Sequence, residues 1–399
     1  MKHSFIFAIA ALLVTSAMAQ KPDSLGRSRF ELRTEMMHFF KDNEFSAEKM
    51  SGYTLPGFYL RPRLVWQVEK RVRVEAGVHW LHYWGATQYP NRIAFSAFPE
   101  MGEEPRPSHV LPWIQARVDV LPQLSLVFGS LENNGGHRLP LPLYDPELIY
   151  ASDPENGIQM LLNTRYFDAD VWVDWKDFIF RRSETQERFV FGFSGLVDFS
   201  RPETLGFSAR LPLHVVAQHI GGEMLAEEKL PISMFNFSGG VDVDYRFSKK
   251  LGVQAGYQFV GFAHNGNVPR LCKYGWGVYP HVGAWFKRFS LDVAYWVGED
   301  YLPLLGSPHF SNYSANTPEL TFDLLDMLCI RTKWEYARLR HTTLSFEAMS
   351  YIYFPYTGDR PCYPKVERGA AASFSFGLFL NVNPKINLVP FAKKKGRRK

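Results

Sequence analysis

Apolar and polar residues alternate along residues 65–84, VWQVEKRVRVEAGVHWLHYW. Trp66, Val68, Val72, Val74, Ala76, Val78 and Trp80 share one register. Gln67, Glu69, Arg73, Glu75 and His79 fall between them, and Lys70-Arg71 forms a charged turn. Period two places one face in an apolar medium and the other in water, so this stretch predicts a β-hairpin. The same pattern recurs down the chain. Phe30-Leu32-Thr34-Met36 alternates with Glu31-Arg33-Glu35, and Leu60, Leu64 and Trp66 with Tyr59, Arg61 and Arg63. Ile114 to Val120 alternates with Gln115, Arg117 and Asp119. Phe167 to Trp175 alternates with Asp168, Asp170, Trp172 and Asp174. Val241 to Phe247 alternates with Asp242, Asp244 and Arg246, and Ile330 to Tyr336 with Arg331, Lys333 and Glu335.

Such runs predict strands near 29–40, 57–69, 72–84, 110–121, 124–131, 157–163, 166–175, 188–199, 205–219, 232–247, 251–262, 275–287, 289–297, 326–338, 342–354 and 369–383. Every second connection is tight, as at Lys70-Arg71, Pro122-Gln123, Thr164-Arg165 and Lys287-Arg288. The others are long: 41–56, 85–109, 132–156, 176–187, 220–231, 263–274, 298–325 and 355–368. A soluble sandwich has no reason to sort its loops this way, whereas outer-membrane barrels have short periplasmic turns and long extracellular loops. Lipid offers no hydrogen-bond partners, so such strands must close on themselves. The fold expected is all-β: a transmembrane antiparallel up-and-down β-barrel of about 16 strands (range about 14–18).

Composition sharpens this picture. The chain has 33 Phe, 19 Tyr and 10 Trp, a heavy aromatic load. Trp66, Trp80, Trp84, Trp175, Phe199, Phe247, Trp334, Tyr336 and Phe354 lie near strand ends on the apolar register, where interfacial girdles sit. The N-terminus has Lys2 and His3, an apolar run from Phe5 to Val14, and Ala17-Met18-Ala19. This reads as a cleaved signal peptide over 1–19, too short to span a bilayer. The expected organisation is then a periplasmic segment at 20–28, the barrel at 29–383 and a basic tail at 384–399. The net charge of +5 comes largely from Lys393, Lys394, Lys395, Arg397, Arg398 and Lys399, so no nucleic-acid partner is expected. That tail is either a solvated end or a contact with anionic headgroups or peptidoglycan. Among three cysteines, Cys272 and Cys362 fall in long loops and are the pair able to form one bridge in an oxidising compartment.

The last strand, SFGLFLNV with Ser375, Gly377, Leu380 and Val382, is similar to the C-terminal recognition signal of bacterial outer-membrane β-barrels. The layout as a whole resembles the sixteen-stranded general porins, and the aromatic-rich loops resemble outer-membrane proteins of the Bacteroidota. The family's strand usually ends on an aromatic residue, whereas this chain continues through Pro384. The resemblance implies an integral outer-membrane protein with outer-membrane lipid and the barrel assembly machinery as partners, and a porin-like homo-oligomer. It also implies that the third long loop, with the residue before it (131–156), enters the lumen with His137, Arg138, Asp145 and Glu147 at the constriction; the alternative is a packed external cap.

The inward register carries Arg33, Arg61, Arg63, Arg73, Glu75, His79 and Arg117 on the early strands. Asp168, Asp170, Asp242 and Asp244 follow, then Arg331 and Lys333. These charges either set a transverse field across a water-filled pore or interlock as salt bridges that stiffen the interior. The leading expectation is a passive channel for small hydrophilic solutes, without cofactor, metal or enzymatic chemistry. The alternatives are a non-conducting barrel serving secretion, polysaccharide export or surface binding, and an outer-membrane hydrolase. For the last, His79, His82, His214, His219 or His264 would join a serine or carboxylate, yet no segment matches a hydrolase motif. The pairs 79/82 and 214/219 have opposite pleat parity, so neither can grip one metal ion.

Overall fold

The computed structural model describes residues 29–45, 50–85, 108–180, 185–199, 205–221, 230–266, 268, 271–315, 320–354, 356–357, 367–368 and 371–388. The expected signal peptide, the segment 20–28, Cys362 and the basic cluster beyond residue 388 lie outside them.

Alternating stretches form strands β1 (Arg29–Glu44), β2 (Tyr53–Glu69), β3 (Val72–Tyr83), β4 (Ser108–Leu121) and β5 (Leu124–Ser130). They continue as β6 (Asn156–Asn163), β7 (Phe167–Asp177), β8 (Glu187–Asp198), β9 (Gly206–Gly221) and β10 (Ile232–Ser248). The series ends with β11 (Leu251–Asn265), β12 (Tyr274–Phe286), β13 (Phe289–Glu299), β14 (Leu324–Leu339), β15 (Thr342–Tyr353) and β16 (Ala371–Val382). Each pairs antiparallel with its neighbours in sequence, and β1 pairs with β16 from Met36↔Val382 to Glu44↔Phe374. The sheet is therefore a closed barrel of sixteen strands, with no edge left for lipid to meet. The chain does not stop pairing at the expected end of the barrel. Lys385–Leu388 turns back through Pro384 and pairs with Phe30–Arg33, completing the lower part of β1 where β16 has run out.

Pleat parity is kept across the wall, as the pairings Glu75↔Gln115 and Asp292↔Arg331 illustrate. The outward set is apolar and exposed: Ile114, Phe128, Leu213, Phe237, Val282, Phe346 and Phe376 are among its members. The aromatic residues expected at the strand ends, from Trp66 and Trp80 to Trp334 and Phe354, are exposed on this surface. A surface of this kind is stable only against hydrocarbon, and its rings suit the two interfaces. Short turns such as 70–71, 122–123, 249–250 and 287–288 gather at one end, several flanked by register shifts. Those shifts strengthen the local twist needed to close a hairpin.

The upper half of the interior is filled. Loop 131–156 and the segment between β13 and β14 both fold inside, bound to each other through Asp145 N→Leu305 O (2.7 Å), Ser307 N→Leu141 O (2.9 Å) and Tyr301 Oη→Pro142 O (2.8 Å). Leu143, Tyr301, Leu304 and Phe310 from the loops pack on Val216, Met234, Val260, Trp296 and Met327 from the wall. The lumen at this level is a protein core.

Candidate functional site

Loop 131–156 is held by two polar anchors. Residues Asn134 to Arg138 all have positive φ (48° at Asn134, 53° at His137, 61° at Arg138), forming one left-handed turn with His137 N→Asn133 O at 2.7 Å. Such backbone costs roughly 1–2 kcal/mol for each non-glycine residue, so its surroundings must hold it. They do: His137 Nδ1 lies 2.8 Å from Asp170 Oδ2 and Nε2 2.7 Å from Glu155 Oε2, while its ring stacks on Trp172 at 3.7 Å. Burial alone would depress the imidazole, but the Glu155 charge and the bonds to Asp170 and Glu155 outweigh it. The group rises to about 9 and carries a proton. The second anchor is Glu147, which accepts from Lys41 Nζ (2.7 Å), Tyr53 Oη (2.5 Å) and Asn43 Nδ2 (3.3 Å). Asp145 Oδ1 accepts from the Glu147 amide at 3.0 Å. Arg138 lies 3.5 Å from Asp168.

The other candidate lining residues sit on the inner face, most of them in ion pairs. Arg33, Arg63 and Arg73 converge on the buried Glu75 at 3.5, 3.3 and 3.0 Å. Arg61 and Arg63 share Glu35, Arg61 Nε donates to His79 Nδ1 at 2.7 Å, and Arg117 pairs with Asp119 and Glu132. Across the barrel Asp244 pairs with Arg210 and Arg246, Asp242 with His281, and Arg331 with Glu347. Lys333 projects from β14 on the same face as Arg331. The cavities below the inserted loops include one of about 390 Å³ beside Arg33, Arg63 and Arg73 and one of about 650 Å³ beside Arg210, Asp242 and Arg331.

A different constellation lies on the outside, at the long-loop end. The odd positions of β9 face lipid and are apolar through Leu211, Leu213, Val215 and Ala217 until His219 interrupts them. His219 pairs with Ser233 of β10 in register, and Nδ1 is 2.8 Å from the serine Oγ. With the imidazole proton on Nε2, the hydroxyl donates to Nδ1, the arrangement of a nucleophile with its base. The Ser233 amide donates to Asn265 Oδ1 at 3.0 Å, which fixes the Asn265 side chain beside the hydroxyl. A Cβ at Gly221 would lie 2.7 Å from His219 Nε2, so the imidazole would have to shift. Phe189 lies 5.0 Å from the His219 ring and stacks with Trp175 at 5.3 Å, forming an aromatic surface beside the pair.

A second outward pair joins His82 Nδ1 to Ser108 Oγ at 2.7 Å, but that oxygen also accepts from Trp80 Nε1 at 3.3 Å. The inward His214 meets Ser238 at 2.9 Å within the packed interior. The sequence signal for the His219 site was a polar residue breaking the apolar register. Its serine partner was not legible, because it depends on the pairing of β9 with β10 across a long loop. Among the described residues no group of three or more His, Cys, Asp or Glu side chains is arranged to hold a metal ion.

Comparisons with known proteins bear on the fold and on the family. The structure is similar to OpdL of Pseudomonas aeruginosa, with 10% identity, a TM-score of 0.50, and coverage of 91% of this chain and 100% of that one. OccAB2 of Acinetobacter baumannii is also similar, at 11% identity, TM-score 0.49, and coverage of 90% and 98%. At such identities the likeness concerns the fold alone. No curated protein has a sequence that matches this chain. The expectation of a barrel without enzymatic chemistry is corrected by a sequence family described as lipid A 3'-O-deacylase-type, whose model matches residues 20–391. That expectation rested on the lack of a hydrolase motif, and side chains that meet only through strand pairing leave no contiguous motif. Because the match spans nearly the whole chain, this protein belongs to the lipid A 3'-O-deacylase-type family.

Proposed function

We propose that the protein is an integral outer-membrane hydrolase that removes an ester-linked acyl chain from outer-leaflet glycolipid of the lipid A class. The observation that carries this reading is the His219–Ser233 pair, set on the lipid-facing surface at the long-loop end of a chain of this family. An acyl ester in the outer leaflet lies at the boundary between headgroup and hydrocarbon, the depth that aromatic girdle residues such as Trp175 mark.

The chemistry follows from the residues. His219 Nδ1 takes the Ser233 proton as Oγ attacks the ester carbonyl carbon. The Asn265 amide N–H stabilises the resulting oxyanion. Collapse expels the sugar oxygen, which takes the proton from His219, and leaves an acyl-serine. Water, deprotonated by His219, then releases the fatty acid and restores Ser233. Phe189 and Trp175 offer the acyl chain an apolar path. Release of free fatty acid from purified lipid A by the protein in mixed micelles tests this reading. A protein that is folded, yet leaves lipid A intact under all conditions, would remove it.

A second activity, passive diffusion of small hydrophilic solutes, is favoured by the two charged cavities below the inserted loops. It requires that the loops part, since their packed core closes the upper lumen. Ionic current through the protein in planar bilayers measures it directly.

A further inference from the structure

The lumen and the short-turn end treat their cations differently. Inside, Arg33, Arg63, Arg73, Arg117, Arg210 and Arg331 each face a carboxylate. At the short-turn end Lys249-Lys250, Lys287-Arg288, Arg340 and Lys70-Arg71 are exposed, and none has a carboxylate partner among the described residues. We propose that these turns form a binding arc for anionic glycerophospholipid of the periplasmic leaflet, with phosphatidylglycerol as the fitting headgroup.

The four turns close the hairpins β10–β11, β12–β13, β14–β15 and β2–β3, which follow one another around the barrel across the β16–β1 seam. Backbone bonds tie the rim together: Lys287 N donates to Lys250 O at 2.6 Å, Glu335 N to Arg288 O at 3.0 Å, and Asn383 N to His341 O at 2.8 Å. Arg288 Nη1 donates to Tyr336 O at 3.0 Å and Arg71 Nη1 to Val120 O at 3.4 Å. A carbonyl carries no net charge, so these bonds hold each guanidinium at the rim and leave it positive. Seven cations thus line the arc, against Glu69 and Glu335, while Asp119 near the β4–β5 turn is taken by Arg117. Like charges gathered in this way repel, and an anionic partner relieves the repulsion.

The depth of the arc selects the partner. Phe247, Phe286, Phe289 and Tyr336, beside the turns, are exposed on the outer surface, where such rings mark the headgroup level. Lys287 Nζ lies 4.9 Å from the centre of the Phe286 ring, so the ammonium stays at that level. Turns of two residues do not project further, which keeps the cations among the leaflet's phosphates and short of the cell wall. A zwitterionic headgroup brings its own ammonium with each phosphate, whereas phosphatidylglycerol brings a net negative charge to meet the excess. The planar forks of Arg71 and Arg288 suit phosphate oxygens. Leu388 pairs with Phe30 at this same end, and six further cations follow it in sequence. His219 and Ser233 lie at the opposite end of the barrel, so the arc and the hydrolase reading stand or fall separately.

Electron spin resonance of the full chain in phosphatidylcholine bilayers, with trace spin-labelled phosphatidylglycerol or phosphatidylcholine, tests the proposal through the fraction of each label immobilised at the protein. A preference for phosphatidylglycerol of about twofold or more, averaged over both ends of the barrel, is expected. It should fall as salt is raised, because exposed charges are screened. A variant carrying Lys249→Gln, Lys250→Gln, Lys287→Asn and Arg288→Gln should lose most of the preference, while Lys273→Gln, at the long-loop end, should keep it. If the fourfold variant fails to fold, Lys249→Gln with Lys250→Gln is expected to lower the same ratio. Equal association of the two lipids with the folded parent, or the parent's ratio in a folded arc variant, would overturn the arc. Cosedimentation with isolated peptidoglycan sacculi that the arc variant loses, without any lipid preference in the parent, would assign these cations to the cell wall and overturn it as well.

Discussion

His219 of β9 and Ser233 of β10 face each other across a strand pair on the outer surface of the barrel, Nδ1 to Oγ at 2.8 Å. Outward positions of a barrel are otherwise apolar, and a charged or strongly polar group there costs stability. On the function proposed above, this pair is the nucleophile and its base. The expected consequence is that His219→Gln lowers acyl-ester hydrolysis by about 10²–10⁴-fold while the protein still migrates as a folded, heat-modifiable barrel.

In the proposed mechanism Asn265, whose Oδ1 accepts from the Ser233 amide, supplies its N–H₂ to the oxyanion. Asn265→Ala should lower kcat by about 10²–10³-fold with KM nearly unchanged. A raised KM at constant kcat would assign Asn265 to substrate binding instead.

The barrel itself was legible because its determinants are local. Alternation fixed the strands, and the sorting of loop lengths fixed the topology. Trp66, Trp80 and Trp334 could be sent to lipid from their register alone. The interior was less legible. Arg33, Arg61 and Arg63 could be turned inward, but not matched to Glu35 and Glu75, since those pairs depend on the stagger between strands. That the segment around Tyr301 and Phe310 enters the barrel depends on packing with residues far away in sequence, such as Pro142 and Met234. The continuation of pairing at Lys385–Leu388 was hidden by Pro384, which reads as a stop and here makes a turn.

His137 should make the inserted loop sensitive to pH. Its folded value of about 9 lies above the ordinary 6.5, so the stabilisation it provides is complete below about pH 6.5 and is lost as pH rises through about 9. A protonated imidazole stacked on Trp172 quenches that indole. The fluorescence difference between the protein and Trp172→Phe should therefore rise with a midpoint near pH 9 and be flat in His137→Gln. A midpoint near 6.5 would mean that Asp170 and Glu155 do not hold the proton.

Glu147 balances the part-buried Lys41, and also accepts from Tyr53 and Asn43. Removing it takes away the nearest partner of that ammonium and the loop's anchor to β1 and β2, which favours movement of the loop. Glu147→Ala should thus increase ionic current in planar bilayers over that of the parent protein. Equal currents would show that other contacts suffice to keep the loop in place.

The central claim is that Ser233, on the lipid-facing rim, is the nucleophile. It is tested most directly by mass spectrometry of lipid A incubated with equal amounts of the folded parent, Ser233→Ala and Ser108→Ala proteins. The account predicts loss of one ester-linked acyl chain with the parent and with Ser108→Ala, and intact lipid A with Ser233→Ala. Deacylation by Ser233→Ala at the parent's rate would contradict it.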